Sequence, residues 1–237
     1  MGLDSMRKVL VLDYDHTLYP ASLPTLKAVD DRITLYIQER LGLSPEAADD
    51  TRRSLSETYG TTLRGLELHH GVDRHHYCDF VNAVEAAELP VPDPALEAWL
   101  SRMGHPAYIF TNARKDWAVR GLESMGLGAF LPVAGFQAGV GAAPGRFREI
   151  FDIAFVDWVG KPHPDAFAKV DRRLRDLHGE DVRIHFADDR ADNLETARAL
   201  GWSTLWITPE PFPSGHAAFG FDRVLPSLIL LDPDTLD

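Results

Sequence analysis

Two aspartates separated by one residue, Asp13 and Asp15, follow the apolar run Val9-Leu10-Val11-Leu12 and precede Thr17. In an extended segment residues i and i+2 point to the same side, so the two carboxylates converge on one small volume. Like charges that close share a proton or hold a cation. Taken alone, the pair is equally well a solvated strand-to-loop turn. Further polar groups sit just beyond or beside short apolar runs: Thr111 and Asn112 after Ala107-Tyr108-Ile109-Phe110, Lys161 within Gly160-Lys161-Pro162, and Asp188-Asp189 after Ile184-His185-Phe186-Ala187. Read singly, Thr111 is a helix cap, Lys161 a solvated loop lysine, and Asp188 to Asn193 an acidic helix start. Their shared placement at strand ends, in this order, makes chance agreement improbable.

The elements that must position these groups follow from hydrophobic spacing. A continuous Val/Leu run bounded by polar residues suits a parallel strand covered on both faces, and such sheets bind ligands beyond the carboxyl ends of their strands. Leu26, Val29, Ile33, Tyr36, Ile37 and Leu41 recur at spacings of three and four, which predicts a helix from Thr25 to Leu41 stopped by Gly42. Ser44-Pro45-Glu46 opens a second helix, with Ser as N-cap and Pro at the first helical position. The polar, glycine-bounded stretch from Glu57 to Leu66 reads as a break, and further helices are expected over His75 to Ala87 and Pro94 to Met103. From Pro106 onward, strand and helix alternate. Strands are expected at Ala107 to Phe110, Phe151 to Val156, Ile184 to Ala187 and Thr204 to Ile207. Helices follow through Met125, over Pro164 to His178 and over Ala191 to Leu200, while Ala129 to Gly145 lacks periodicity and reads as a loop. This alternation implies right-handed crossovers and an α/β, three-layer Rossmann-like core with a five-stranded, mainly parallel sheet. Residues 7–18 and 106–237 make that core, and 19–105 form an inserted helical cap domain.

Composition narrows the function classes. The chain has 237 residues, 45% hydrophobic and 25% charged, as in an ordinary globular protein. A formal charge of −12 opposes binding to a phosphate backbone, so nucleic acid is not an expected partner. No stretch reaches the roughly 20 apolar residues of a membrane span, and the first residues do not make a signal peptide. Cys78 is the only cysteine, which excludes an intrachain disulfide and suits a reducing, cytoplasmic compartment. His69, His70, His75 and His76 have no accompanying thiolate and fit no zinc spacing, so they read as a polar helix end and its turn. The five tryptophans are scattered and read as packing.

The order of Asp13-Tyr14-Asp15-His16-Thr17, Thr111, Lys161 and Asp188-Asp189 resembles the haloacid dehalogenase superfamily over about residues 7 to 210. Asp15-His16-Thr17-Leu18-Tyr19-Pro20, the insertion with Tyr59-Gly60-Thr61-Thr62-Leu63-Arg64-Gly65, and Gly160-Lys161-Pro162 look like its pyrimidine 5'-nucleotidase branch. The resemblance implies that Asp13 attacks phosphorus to form an aspartyl phosphate and that Asp15 protonates the leaving alkoxide and later activates water. It implies that Thr111 and Lys161 position and neutralise the phosphoryl group, with Asn112 near the same group. Mg2+ would be held by Asp13, Asp188, Asp189 and the backbone carbonyl of Asp15, a hard-oxygen set suited to that ion. An acidic Asp15 favours the phosphatase arm over the dehalogenase arm. The cap would close over the site, with Tyr59, Thr61, Thr62 and Arg64 able to read a base or sugar.

Two departures stand out: Ala113 replaces a usual glycine after Thr-Asn, and the segment from Ala129 to Arg148 is longer than the corresponding link. The expected activity is Mg2+-dependent hydrolysis of a small phosphorylated metabolite, first of all a pyrimidine nucleoside monophosphate, by a monomer or homodimer. Alternatives are a sugar phosphatase, a phosphomutase, and a receiver-like phospho-switch. The switch is disfavoured by motif order and by the cap.

Overall fold

A computed structural model describes residues 7–132, 147–215 and 219–236. Within them the first strand, β1 (Lys8–Leu12), has Val9 to Leu12 fully buried. Its side chains alternate between two clusters: Leu10 and Leu12 join one, Val9 and Val11 the other. A strand buried on both faces is why this segment reads as an unbroken apolar run, each side chain contributing roughly 1.5–3 kcal/mol.

Four helices follow β1, and they are α1 (Thr25–Leu41), α2 (Pro45–Tyr59), α3 (Thr62–His70) and α4 (Arg74–Val81). Gly42 ends α1 in the left-handed conformation, and Ser44 caps α2 by accepting from the Ala47 amide at 3.3 Å. The expected break from 57 to 66 is only Gly60 and Thr61. Thr61 caps α3 through the Arg64 amide, and Gly65 lies inside that helix. A Cβ on Gly65 would stand 2.6 Å from Leu55 and 2.9 Å from Tyr59, so the glycine permits close approach of α3 to α2. Tyr36, Ile37, Leu63, Leu66, Tyr77 and Val81 form the apolar core of this helical unit. The expected helix over 75–87 ends at Val81, with a separate 3-10 turn at Ala86–Glu88. Next, α5 (Pro94–Arg102) sends Leu96, Trp99 and Leu100 into the cluster beneath the sheet.

The rest alternates as β2 (Ala107–Phe110), α6 (Lys115–Ser124), β3 (Phe147–Phe151), α7 (Pro164–His178), β4 (Arg183–Asp188), α8 (Ala191–Ala199), β5 (Ser203–Ile207) and β6 (Arg223–Leu225). The expected strand at Phe151 to Val156 is displaced: β3 ends at Phe151, and the turns that follow send Ile153 and Val156 into the cluster of Val9 and Val11, on the opposite face of the sheet from α5. Most of the loop expected over 129–145 lies outside the described residues. All strand pairings are parallel, in the order β3-β2-β1-β4-β5-β6, so the sheet has six strands rather than five. The added strand is β6, a three-residue edge too short to show periodicity. The strand order changes sense at β1, which is flanked by β2 and β4, and ligands bind at such a switch point. No helix of the described residues is long and apolar enough to cross a membrane.

Tyr14 anchors the turn after β1. Its ring is fully buried, its hydroxyl has no hydrogen-bond partner, and a Cβ on Gly121 of α6 would stand 1.6 Å from that hydroxyl. Overpacking of this kind costs typically ~1–3 kcal/mol. Gly121→Ala is expected to lower the urea midpoint accordingly, and adding Tyr14→Phe should recover part of the loss. Equal midpoints for Gly121→Ala and the parent would contradict the packing.

Candidate active site

Asp13 leaves β1 with its amide donating to the Ala187 carbonyl of β4 at 2.9 Å, which places it between the two central strands. Lys161 reaches this point from the loop before α7 and is 2% exposed. Its Nζ donates to Asp13 Oδ1 at 2.7 Å, to Asp188 Oδ2 at 2.7 Å and to the Phe110 carbonyl at 2.8 Å. An ammonium has three donors, so all are engaged. Asp13, Asp188 and Asp189 each offer an oxygen within 4.8 Å of the others, the one group of metal-capable side chains among the described residues. The expected catalytic residues Asp13, Asp15, Thr111 and Lys161 and the acidic Asp189 line one cavity of about 370 Å3.

The electrostatics of this cluster are unbalanced. Burial raises the carboxyl of Asp13 well above the usual carboxylate range, against the opposing pull of Lys161, and Asp188 and Asp189 add to the rise. Burial raises Asp188 too, against the pull of Lys161, and Asp189 adds to the rise. Burial alone would depress Lys161, yet Asp13 and Asp188 hold it above its ordinary value. Three carboxylates gather around one ammonium that bonds only Asp13 and Asp188, and a cation would offset the excess. The donor set fits a hard divalent ion, and the buried Oδ1 of Asn193 has no hydrogen-bond partner beside it.

Asn193 departs from the helix-start expectation. Its amide donates to both oxygens of Asp188, at 2.9 and 3.0 Å, and so fixes that carboxylate. Asp192 pairs with Arg190 at 2.6 Å, while Asp188 itself accepts the Arg190 amide at 2.8 Å. Thr111 is buried and accepts the Ala113 amide at 3.0 Å, and it lines the cavity. Asn112 lines the cavity as well, and its side chain clamps the Lys161 backbone: its Nδ2 donates to the Lys161 carbonyl at 2.8 Å and its Oδ1 accepts the Lys161 amide at 2.7 Å. Gly160 makes this clamp possible, since its φ is +73° and a Cβ would stand 3.0 Å from Asn112 Oδ1.

Of the cap residues expected to touch a ligand, only Thr61 and Thr62 line the cavity, and Thr62 donates to the Arg52 carbonyl at 3.2 Å. Tyr59 and Arg64 line a separate outer cleft with Pro162 and His163, because they follow α2 and α3 to their far side. Tyr59 is hydrogen-bonded to His69 at 2.5 Å. Residues missed in the sequence complete the wall. Arg52 pairs with Asp30 at 2.9 Å and Asp49 at 3.0 Å, and Arg52 and Asp30 face the cavity with Leu26, Val29, Ile33 and Tyr77. His16, at φ +62°, lies 3.6 Å from Asp189, and Trp117 and Trp158 line the space rather than only packing. The spacing of Arg52 from Asp49 signalled a helix pair; its inward aim depends on how α1 and α2 cross.

No protein-family model matches the chain. Solved structures share its fold at low identity. A haloacid dehalogenase-like hydrolase from Bacteroides fragilis superposes with a TM-score of 0.60 at 19% identity, covering 95% of this chain and 99% of the other. A dehalogenase with an intermediate complex gives 0.56 at 18%, covering 98% of both chains. YfnB of Bacillus subtilis, a HAD-type hydrolase bound to magnesium, gives 0.53 at 16%, covering 95% and 97%.

Proposed function

We propose that this chain, which has the fold of the haloacid dehalogenase-like hydrolases, is a Mg2+-dependent phosphomonoester hydrolase that works through an aspartyl phosphate on Asp13. The observation that carries the reading is the convergence of Asp13 with Lys161, Asp188 and Asp189 at the switch point of the sheet, with a second carboxyl, Asp15, on the same cavity. Among the described residues Asp13 Oδ2 receives only a 3.3 Å contact from Thr17, so one oxygen of the carboxylate is available as nucleophile. Lys161 orients Asp13 and offsets charge on the transferred group, and Thr111 holds a phosphoryl oxygen. Such fixed charges and donors are the main source of rate in phosphoryl transfer. Asp15 gives a proton to the leaving oxygen and takes one from water in the second half-reaction. Burial keeps its carboxyl above the ordinary range, opposed by hydrogen bonds from Tyr19 and Trp117, as this double role requires. Asp13, Asp188, Asp189 and the Asp15 carbonyl would hold Mg2+, which would supply charge neutralisation to the phosphoryl oxygens.

For the substrate we infer a nucleoside monophosphate of the pyrimidine type. The cavity has apolar walls from Leu26, Val29 and Ile33 and a donor–acceptor edge from Arg52 and Asp30, which suits a flat ring with amide-like polarity. A sugar phosphate is the nearest competitor and uses the same chemistry. A receiver-like switch fits less well, since receiver sheets run 2-1-3-4-5 whereas β4 here neighbours β1. A dehalogenase reading draws on the fold neighbours, among them an L-2-haloacid dehalogenase from Xanthobacter autotrophicus at TM-score 0.54 and 17% identity, covering 96% and 97%. Against it stands Asp15, a second acid that displacement of halide from carbon does not need.

Chelation tests the metal requirement. EDTA is expected to lower phosphate release by roughly two orders of magnitude, and excess Mg2+ to restore it. Mg2+ should also raise the melting temperature of the parent but not of a variant carrying both Asp188→Asn and Asp189→Asn. Full activity in EDTA would refute the requirement.

A further inference from the structure

Among the described residues Asp15 is held by one oxygen only. Its Oδ1 accepts from Tyr19 Oη at 2.5 Å and from Trp117 Nε1 at 3.2 Å. Both donors ride on buried rings, Tyr19 at 4% and Trp117 at 3% exposure. The Tyr19 ring packs edge-on against Tyr14, 5.5 Å between centroids at 73°, which holds its hydroxyl oxygen beside Asp15. Trp117 comes from the first turn of α6 and Tyr19 from the segment leaving β1, so the two reach the carboxyl from different elements.

The chemistry of these donors is asymmetric. An indole N–H donates and never accepts, so the oxygen it meets must accept in every protonation state of Asp15. A proton carried by this carboxyl therefore sits on Oδ2. We propose that Tyr19 and Trp117 are positioning residues that pin Oδ1 of Asp15 and assign both proton delivery and proton uptake to Oδ2. The inference rests on the phosphatase reading above and adds the two rings that aim its acid. In the first step an oxygen of Asp13 bonds to phosphorus as the phosphorus–ester oxygen bond breaks, and the proton on Oδ2 passes to the departing oxygen, giving the free alcohol. In the second, water oxygen bonds to phosphorus as the bond to Asp13 breaks, and one water proton returns to Oδ2. Oδ1 is an acceptor before, between and after these steps, so the clamp persists through the cycle without rearrangement.

The test is leaving-group selectivity in Tyr19→Phe and Trp117→Phe, with Tyr19→Phe the less intrusive because it keeps the ring. Uridine monophosphate has an alkoxide leaving group that needs a proton; 4-nitrophenyl phosphate has one that departs without it. For Tyr19→Phe, kcat/KM on uridine monophosphate is expected to fall roughly 10–100-fold, while that on 4-nitrophenyl phosphate changes less than about threefold and inhibition by inorganic phosphate is unchanged. Trp117→Phe should show the same selectivity. Equal falls on both substrates would mean a structural role only, and no fall on either, with Asp15→Asn still selective, would overturn the clamp while leaving the phosphatase reading intact. Asp15→Asn without any selectivity would overturn the reading itself, and the clamp with it.

Discussion

Asp13→Asn is expected to lower phosphate release by roughly four orders of magnitude or more, about 5 kcal/mol of barrier, while the protein stays folded. The amide keeps the size of the side chain and can still accept from Lys161, so the geometry survives. What disappears is the anionic oxygen that attacks phosphorus. Stability should change by no more than about 1 kcal/mol, since removing one of three crowded carboxylates relieves repulsion while weakening a charge-assisted bond to Lys161. The far-ultraviolet circular dichroism and melting temperature give the control. A variant that turns over at the parental rate would exclude Asp13 as the nucleophile.

Lys161→Met separates the structural role of the lysine from its catalytic one. The ammonium is the only side-chain cation bridging Asp13 and Asp188 among the described residues, and each contact is 2.7 Å. Removing one partner of a buried ion pair leaves uncompensated charge and costs about 3–5 kcal/mol, which for a chain of this size lowers the melting temperature by roughly 6–20 °C. The sign of the pH dependence follows from the raised carboxyls of Asp13 and Asp188. A carboxyl raised in the folded state favours folding below its unfolded value of about 3.9 and loses that contribution as pH rises through the folded value. The variant's deficit should therefore be small near pH 4 and grow toward neutrality in EDTA. Saturating Mg2+ should return part of it, because the cation replaces the missing positive charge. A melting temperature in EDTA equal to that of the parent at pH 7 would contradict the pairing.

What could be read in the sequence was whatever local pattern dictates. The bounds of α1 and α7 followed from periodicity and from proline and glycine punctuation, and β1 from its buried apolar run. That Asp13, Asp15, Thr111, Lys161 and Asp189 share one cavity followed from the order of their polar clusters: Asp13, Thr111 and Asp189 each come just after a strand, while Lys161 enters from the loop before α7. β3 was misplaced because Arg148 and Glu149 interrupt its apolar residues, while the more hydrophobic stretch after it forms turns. Gly65 read as a turn, yet it serves contact between helices, a property of the pair rather than of the segment.

Side chains whose placement at the cavity depends on tertiary crossing were illegible. Arg52 faces the cavity and Arg64, on the neighbouring helix, faces the outer cleft. Nothing in their flanking residues distinguishes them. Asn112 lines the cavity where it was expected, but its contact with the Lys161 backbone, 49 positions away, could not be read from its neighbours. Trp117 read as packing because no local pattern shows where an indole nitrogen points. The corrections share a cause, namely that a residue's type and spacing fix which chemistry it can do, and the fold decides what it meets.

Phosphoryl transfer at Asp13 is tested by a side-by-side release assay. Purified protein with Mg2+ is offered uridine and cytidine monophosphates, a panel of sugar phosphates and, in parallel, 2-haloacids, with inorganic phosphate and free halide both measured. Phosphate release from the nucleotides, absent in Asp13→Asn and faster than from the sugar phosphates, is the predicted result. Halide release without phosphate release would contradict it.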